Sequence, residues 1–288
     1  MLLRRVTLGT SMLTLAGAAF VTAACTGGLV APGQPRTDVM QQVSAEDWTR
    51  LASLRIVFGH QSVGSNILAG VADVMKAVPA VRLNVVESTT PPASGTACLL
   101  HFRAGRNEYP TTKVDDFVRF VDAAASAPPD IAFLKFCYID ANAQTDVRGV
   151  FDHYRQAFAE LRSRYTSTQF VHVTMPLRVV QTGWRVPVKQ LIGRPIGGYA
   201  DNLKRHEYNE LLRAEYGGKA PLFDLAAIES TRADGSRVVF TSGGRTYFAL
   251  APEYTDDGGH LNGTGRRLVA ERLLVFLAEV AKAKAAGN

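Results

Sequence analysis

Cysteine is scarce in this chain: Cys25, Cys98 and Cys137 are the three it has in 288 residues. Once a leader is set aside, Cys98 and Cys137 remain, and they read as two buried thiols, with a single bridge between them as the alternative. Beyond the N-terminus no stretch is long and apolar enough to span a bilayer. No basic run carries interleaved aromatics, so the formal charge of +6, spread along the chain, does not argue for nucleic acid. The six histidines lack metal-ligand spacing, and His101, His153, His172 and His206 read as structural or surface residues. Internal repeats are absent. What is there, 47% hydrophobic and 20% charged residues, suits a globular protein with one sizeable core or two small ones.

The first residues have the pattern of an export leader. Arg4 and Arg5 form a positive start, and Leu8 to Val21 is an apolar run too short for a comfortable membrane span. Thr22-Ala23-Ala24-Cys25 then places small residues before a cysteine, which resembles a bacterial lipoprotein signal with Thr22 where leucine is usual. The expectation is a signal peptide over 1–24, lipidation of Cys25, a Gly/Pro-rich tether over 25–45 and a folded domain over 46–288. Such a protein is exported and anchored in the cell envelope by its N-terminal lipid alone. Cleavage without lipidation, giving a soluble periplasmic or secreted protein, is the alternative.

From Ser44 onward strand and helix patterns alternate, as in a parallel sheet covered on both faces. Strands are expected at Leu54–Phe58, Val81–Val86, Ile131–Phe136, Gln169–Thr174 and Ala220–Leu225. Helices are expected at Asn66–Val78, Lys113–Ala125, Val147–Tyr165 and Asp201–Tyr216, with a last one over Arg266–Ala281. Glu87–Thr112 reads as a long docked loop, Leu177–Gly198 as an excursion or lid, and Thr231–Phe248 as a hairpin turning at Asp234-Gly235. Ligands of such sheets sit beyond the carboxyl ends of the strands, where His60, Ser62, Gly105, Asn107, Tyr138 and Asp140 would gather.

Asp257-Gly258-Gly259-His260 is the most informative stretch. Two glycines let a carboxylate and an imidazole from one loop converge, and a carboxylate on one ring nitrogen leaves the other free to take a proton. Asp256 is the alternative acid. The plainer reading is a polar loop capping the last helix through Asn262 or Thr264. Ser62, between a strand and a helix, is the candidate nucleophile; the same position suits a helix cap, and Ser65 rivals it for either role. His60 is placed to touch substrate or tune Ser62, or is simply a turn residue. Arg103 and Arg106 flank Gly105 and suit either an anionic substrate or solvent. Lys135 is out of place at the end of an apolar strand.

Taken together, Gly59-His60-Gln61-Ser62 after an early strand, Gly105 in a later loop and Asp257-Gly-Gly-His260-Leu261-Asn262 before a helix resemble the SGNH/GDSL hydrolases. The resemblance implies a three-layer, flavodoxin-like, doubly wound parallel sheet with strand order 2-1-3-4-5. It implies Ser62 as nucleophile, His260 as base, Asp257 as its orienter, and the amides of Ser62 and Gly105 as oxyanion donors, with no metal or cofactor. The sequence departs from the family where Gln61 replaces an acid and where Lys135 to Asp140 lacks the usual asparagine; Asn107, or else Asn142, would supply the missing donor. The expected activity is an exported serine esterase acting on an acylated glycan or lipid. The alternatives are a catalytically weak or inactive relative that binds envelope polysaccharide and, last, a purely structural lipoprotein.

Overall fold

The computed structural model describes residues 39–91 and 95–287. The signal segment, Cys25 and most of the tether lie outside the described residues. Six parallel strands form the central sheet: β1 (Arg55–His60), β2 (Val85–Glu87), β3 (Cys98–Arg103), β4 (Ile131–Leu134), β5 (Gln169–Val173) and β6 (Leu222–Phe223). Their order is β2-β3-β1-β4-β5-β6, so β1 is central and the chain winds outward on both sides of it.

Strand alternation sends successive side chains to opposite faces, and here both faces are dry. Ile56 and Phe58 of β1, with Ile131 and Phe133 of β4, enter one core beside α1 (Ala45–Ala52), α2 (Ser62–Ala77) and α8 (Gly263–Ala286). Val57, Ala132 and Leu134 enter the other, beside α3 (Pro110–Ala123), α4 (Val147–Arg164) and α6 (Tyr199–Tyr216). The result is the three-layer doubly wound sheet that the alternating pattern implies. Two short helices complete the set, α5 (Arg185–Leu191) within the excursion and α7 (Leu225–Glu229) after β6.

Three local expectations are corrected. The sheet has six strands rather than five, because the supposed loop from Glu87 to Thr112 contains β3, which pairs with β1 over its whole length. The strand expected at Val81–Val86 shrinks to β2, three residues on the sheet edge. The hairpin, β7 (Val239–Ser242) and β8 (Arg245–Phe248), turns at Gly243-Gly244, while Asp234-Gly235 closes only an isolated Thr231–Arg237 bridge. Gly243 and Gly244 both have positive φ, 55° and 74°, the conformation that a two-residue hairpin turn demands. Cys98 and Cys137 are both free and buried.

One packing contact matters for everything that follows. Helix α2 begins with Ser62, and α8 follows directly on the Asp257–His260 loop, so the α2–α8 seam sets how those two ends meet. Gly70 lies on that seam: a Cβ there would come within 2.2 Å of the Arg266 carbonyl oxygen. Arg266 Nη2 also pairs with Asp73 Oδ2 at 2.8 Å across the same two helices.

Candidate active site

The loop before α8 is built around one carboxylate. Asp257 Oδ1 accepts the backbone amides of Gly259 at 2.9 Å and His260 at 2.8 Å, and Oδ2 accepts His260 Nδ1 at 2.6 Å. Thr255 Oγ1 accepts the Gly258 amide at 3.0 Å, and a Thr255–Leu261 bridge closes the loop. The bond from the His260 side chain, helped by those amides, holds the Asp257 carboxyl well below the usual carboxylate range. Both glycines are required. Gly258 has φ +84°, and a Cβ on Gly259 would lie 2.7 Å from the Tyr138 ring.

An ionised carboxylate only accepts, so the proton of the neutral imidazole sits on Nδ1 and Nε2 is left as an acceptor. That nitrogen faces Ser62 Oγ at 2.9 Å. Residues 198 positions apart in sequence thus form one hydrogen-bonded series, Ser62–His260–Asp257. Ser62 is the first residue of α2, and the N-cap is Gln61, whose Nε2 donates instead to the carbonyls of Ala104 and Gly105 at 2.8 and 2.9 Å. Ser62 is therefore not the cap. Ser65 joins α2 through its amide to the Gln61 carbonyl at 3.2 Å. Asp256 bonds Asn262 Nδ2 at 3.1 Å, while Asn262 Oδ1 caps α8 by accepting the amides of Thr264 and Gly265. The loop thus both caps the last helix and holds the histidine.

The residues expected to complete an oxyanion site behave differently. At the first helical position the Ser62 amide is one of the N–H groups that a helix leaves without an internal acceptor. The Gly105 amide, by contrast, donates to Asp116 Oδ2 at 2.5 Å, and a carboxylate is a stronger acceptor than a neutral carbonyl. Asn107 Oδ1 accepts from Lys113 Nζ at 2.9 Å. Asn142 is exposed, and its Oδ1 accepts the Gln144 amide at 2.9 Å. Of the two backbone donors expected from the sequence, the Ser62 amide is the one left beside the hydroxyl.

The turn after β4 supports the site from behind. Cys137 Sγ lies 4.0 Å from Ser62 Oγ and 3.9 Å from Lys135 Nζ. Burial lowers the Lys135 pKa and lifts that of nearby Glu229 to about 8; Glu229 also accepts the Leu177 amide. A buried ion pair, Lys113 Nζ to Asp140 Oδ2 at 2.6 Å, fixes this turn. Asp140 further accepts the amides of Cys137 at 2.7 Å and Glu108 at 3.1 Å, so it organises two loops rather than facing a ligand. Tyr138 packs edge-on against His260, ring centroids 5.3 Å apart, and Arg178 stacks over Tyr138 at 5.1 Å. Sequence reading placed Tyr138 at the rim without this contact, and took Cys137 for a core thiol. Their position just past the end of β4 is the signal that both carried.

The other candidates are held by partners of their own. His60 is buried, pairs with His101 Nδ1 at 3.1 Å, and is pushed by burial to a pKa of about 3, so it is a neutral packing residue. His172 stacks on Tyr216 at 3.5 Å, His206 bonds the Phe248 backbone, and His153 pairs with Asp115. Arg103 is exposed, and Arg106 stacks over Tyr109 at 4.6 Å. Among the described residues no group of three or more His, Cys, Asp or Glu is placed to hold a metal ion.

No protein-family model and no curated protein sequence matches the chain. Solved structures do. A structure described as a GDSL-like lipase from Parabacteroides merdae aligns at 12% identity over 80% of this chain and 96% of its own, with a TM-score of 0.50. A GDSL-like lipase from Bacteroides thetaiotaomicron aligns at 14% identity over 85% of this chain and 100% of its own, with a TM-score of 0.47. At 12% identity the likeness to the Parabacteroides merdae structure is one of fold, and with the strand order around β1 it carries a single conclusion. The chain has the three-layer α/β fold of the SGNH/GDSL hydrolases.

Proposed function

We propose that this protein is a serine esterase of the SGNH type. One observation carries the reading: a serine hydroxyl, an imidazole and a carboxylate joined in series, 2.9 and 2.6 Å apart, beyond the carboxyl end of the central strand. As Ser62 Oγ bonds to the ester carbonyl carbon, its proton passes to His260 Nε2 and the carbonyl π pair moves onto oxygen. Asp257 stabilises the imidazolium that forms. The oxyanion meets the Ser62 amide at the positive end of the 16-residue α2. Collapse expels the alkoxide, which takes the proton back from Nε2 and leaves Ser62 acylated. A water then repeats the sequence, with His260 accepting its proton, and the acid leaves as Ser62 regains its hydrogen.

The substrate class in this proposal is an acyl ester on a glycan or lipid outside the cytoplasm, with the chain held in the envelope through Cys25. Replacing Cys25 by alanine should abolish metabolic labelling of the protein with palmitate. A second reading, a catalytically weak relative that binds polysaccharide in the same cleft, is favoured by the commitment of the Gly105 amide to Asp116. Hydrolysis of a small aryl acetate separates the two. The esterase reading expects turnover by the wild type and none above background for Ser62→Ala; equal rates for both proteins would reject it.

A further inference from the structure

The excursion after β5 has no part in the series just described, yet it is the most unusual surface of the molecule. Eight large hydrophobic residues are exposed among the described residues, and four of them, Trp184, Val188, Leu191 and Ile192, fall within one short segment. Trp184 is 77% and Leu191 87% exposed. Spacings of four, seven and eight residues from Trp184 put all four along one side of α5 and its flanks. The charge is equally one-sided: from Leu177 to Ala200 there is no acid, and Arg178, Arg185, Lys189 and Arg194 are the charged residues.

The base of the segment is closed. The Gln181 amide donates to the Gly197 carbonyl at 2.9 Å, and Lys189 Nζ reaches Gln181 Oε1 at 2.8 Å. Immediately below, the Val179 amide donates to the Gly258 carbonyl at 3.1 Å and Arg178 Nε to the same oxygen at 3.3 Å. The exposed face is therefore carried on a stalk fastened to the residue next to Asp257. Apolar side chains led by a tryptophan, among cations and without acids, match the boundary of an anionic bilayer: rings and aliphatic groups enter between headgroups while Arg and Lys meet phosphates.

We infer that residues 182–196 dock on an anionic lipid surface, a membrane contact separate from the N-terminal anchor, and hold Ser62 toward that surface. The docking stands by itself. Its use, presenting a membrane-borne acyl ester to Ser62, rests on the esterase reading.

Trp184 supplies the test. The only other tryptophan, Trp48, is 4% exposed, so a change in emission reports on this segment whatever the N-terminus does. The full chain is mixed with vesicles of phosphatidylglycerol and phosphatidylcholine, or of phosphatidylcholine alone. With phosphatidylglycerol present, Trp184 emission should shift to the blue and be quenched by brominated acyl chains, and Trp184→Phe should lose the signal. The combined variant Arg185→Glu, Lys189→Glu and Arg194→Glu should weaken this partitioning at least about a hundredfold. High salt on the wild type should act in the same direction, which keeps the test open should that variant misfold. The same shift is expected in Ser62→Ala, so loss of ester cleavage and loss of docking are read apart. Emission unchanged on vesicles that nevertheless carry the protein would overturn the inference. So would equal quenching on phosphatidylcholine alone, or a blue shift in buffer that grows with protein concentration and marks a second copy as the occupant.

Discussion

Replacing Asp257 by asparagine separates the two tasks of that carboxylate. In the wild type Oδ1 holds the loop through the amides of Gly259 and His260, at 2.9 and 2.8 Å, and Oδ2 holds the ring at 2.6 Å. An asparagine whose oxygen keeps the two amides must turn its NH2 toward His260 Nδ1. That nitrogen then has to accept, the ring proton moves to Nε2, and Nε2 can no longer take the proton of Ser62. The loop keeps its shape while the base has the wrong tautomer. The loss expected in kcat is about 10⁴-fold, the scale found when a triad aspartate becomes asparagine, or ~5 kcal/mol of barrier. Ser62→Ala should cost more, because it removes the attacking atom. The assay is aryl acetate hydrolysis alongside a thermal melt of each protein. Asp257→Asn retaining a tenth or more of wild-type kcat, with an unchanged melt, would refute the tautomer argument.

Two further outcomes follow from contacts away from the reacting atoms. Gly70→Ala places a methyl 2.2 Å from the Arg266 carbonyl, which must push α8 off α2; stability should fall by about 1–3 kcal/mol, and activity should fall more than in a core variant of equal stability elsewhere, because the seam sets the Ser62–His260 distance. An unaltered melting temperature would show that the seam is slack. Glu229 is raised by burial to about 8 from an ordinary 4.5, so between those pH values the folded state holds a proton that the unfolded state has lost, and stability falls as pH rises. The melting temperature of the wild type relative to Glu229→Gln should therefore decline from pH 5 to pH 8. A constant difference would mean that Glu229 is not the buried acid described.

What the sequence disclosed and what it hid divide along one physical line. The Asp257–His260 pairing is made within a single short loop, so residue type and spacing were enough to suggest it. Most strands of the sheet were legible because both faces are buried and the strands read as continuous apolar runs. β3 was hidden because His101 breaks its run and prolines and glycines surround it. What makes a polar residue tolerable there is a partner 41 residues away, His60, bonded at 3.1 Å. Gly105 shows the same limit: its place after a strand was visible, but the carboxylate that takes its amide comes from α3, a contact that only packing creates. Lys135 looked anomalous for the same reason. Cys137 is two residues along the chain, but the charge of Glu229, on α7, reaches Lys135 only through the fold.

The central claim is that Ser62 is the hydroxyl His260 activates. A fluorophosphonate, which bonds covalently to an activated serine oxygen with loss of fluoride, tests it without knowledge of the substrate. Fragmentation mass spectrometry of the labelled protein should place one adduct on Ser62 itself, and His260→Ala should abolish it while the protein stays folded. An adduct on Ser65, or labelling that persists without His260, would contradict the account.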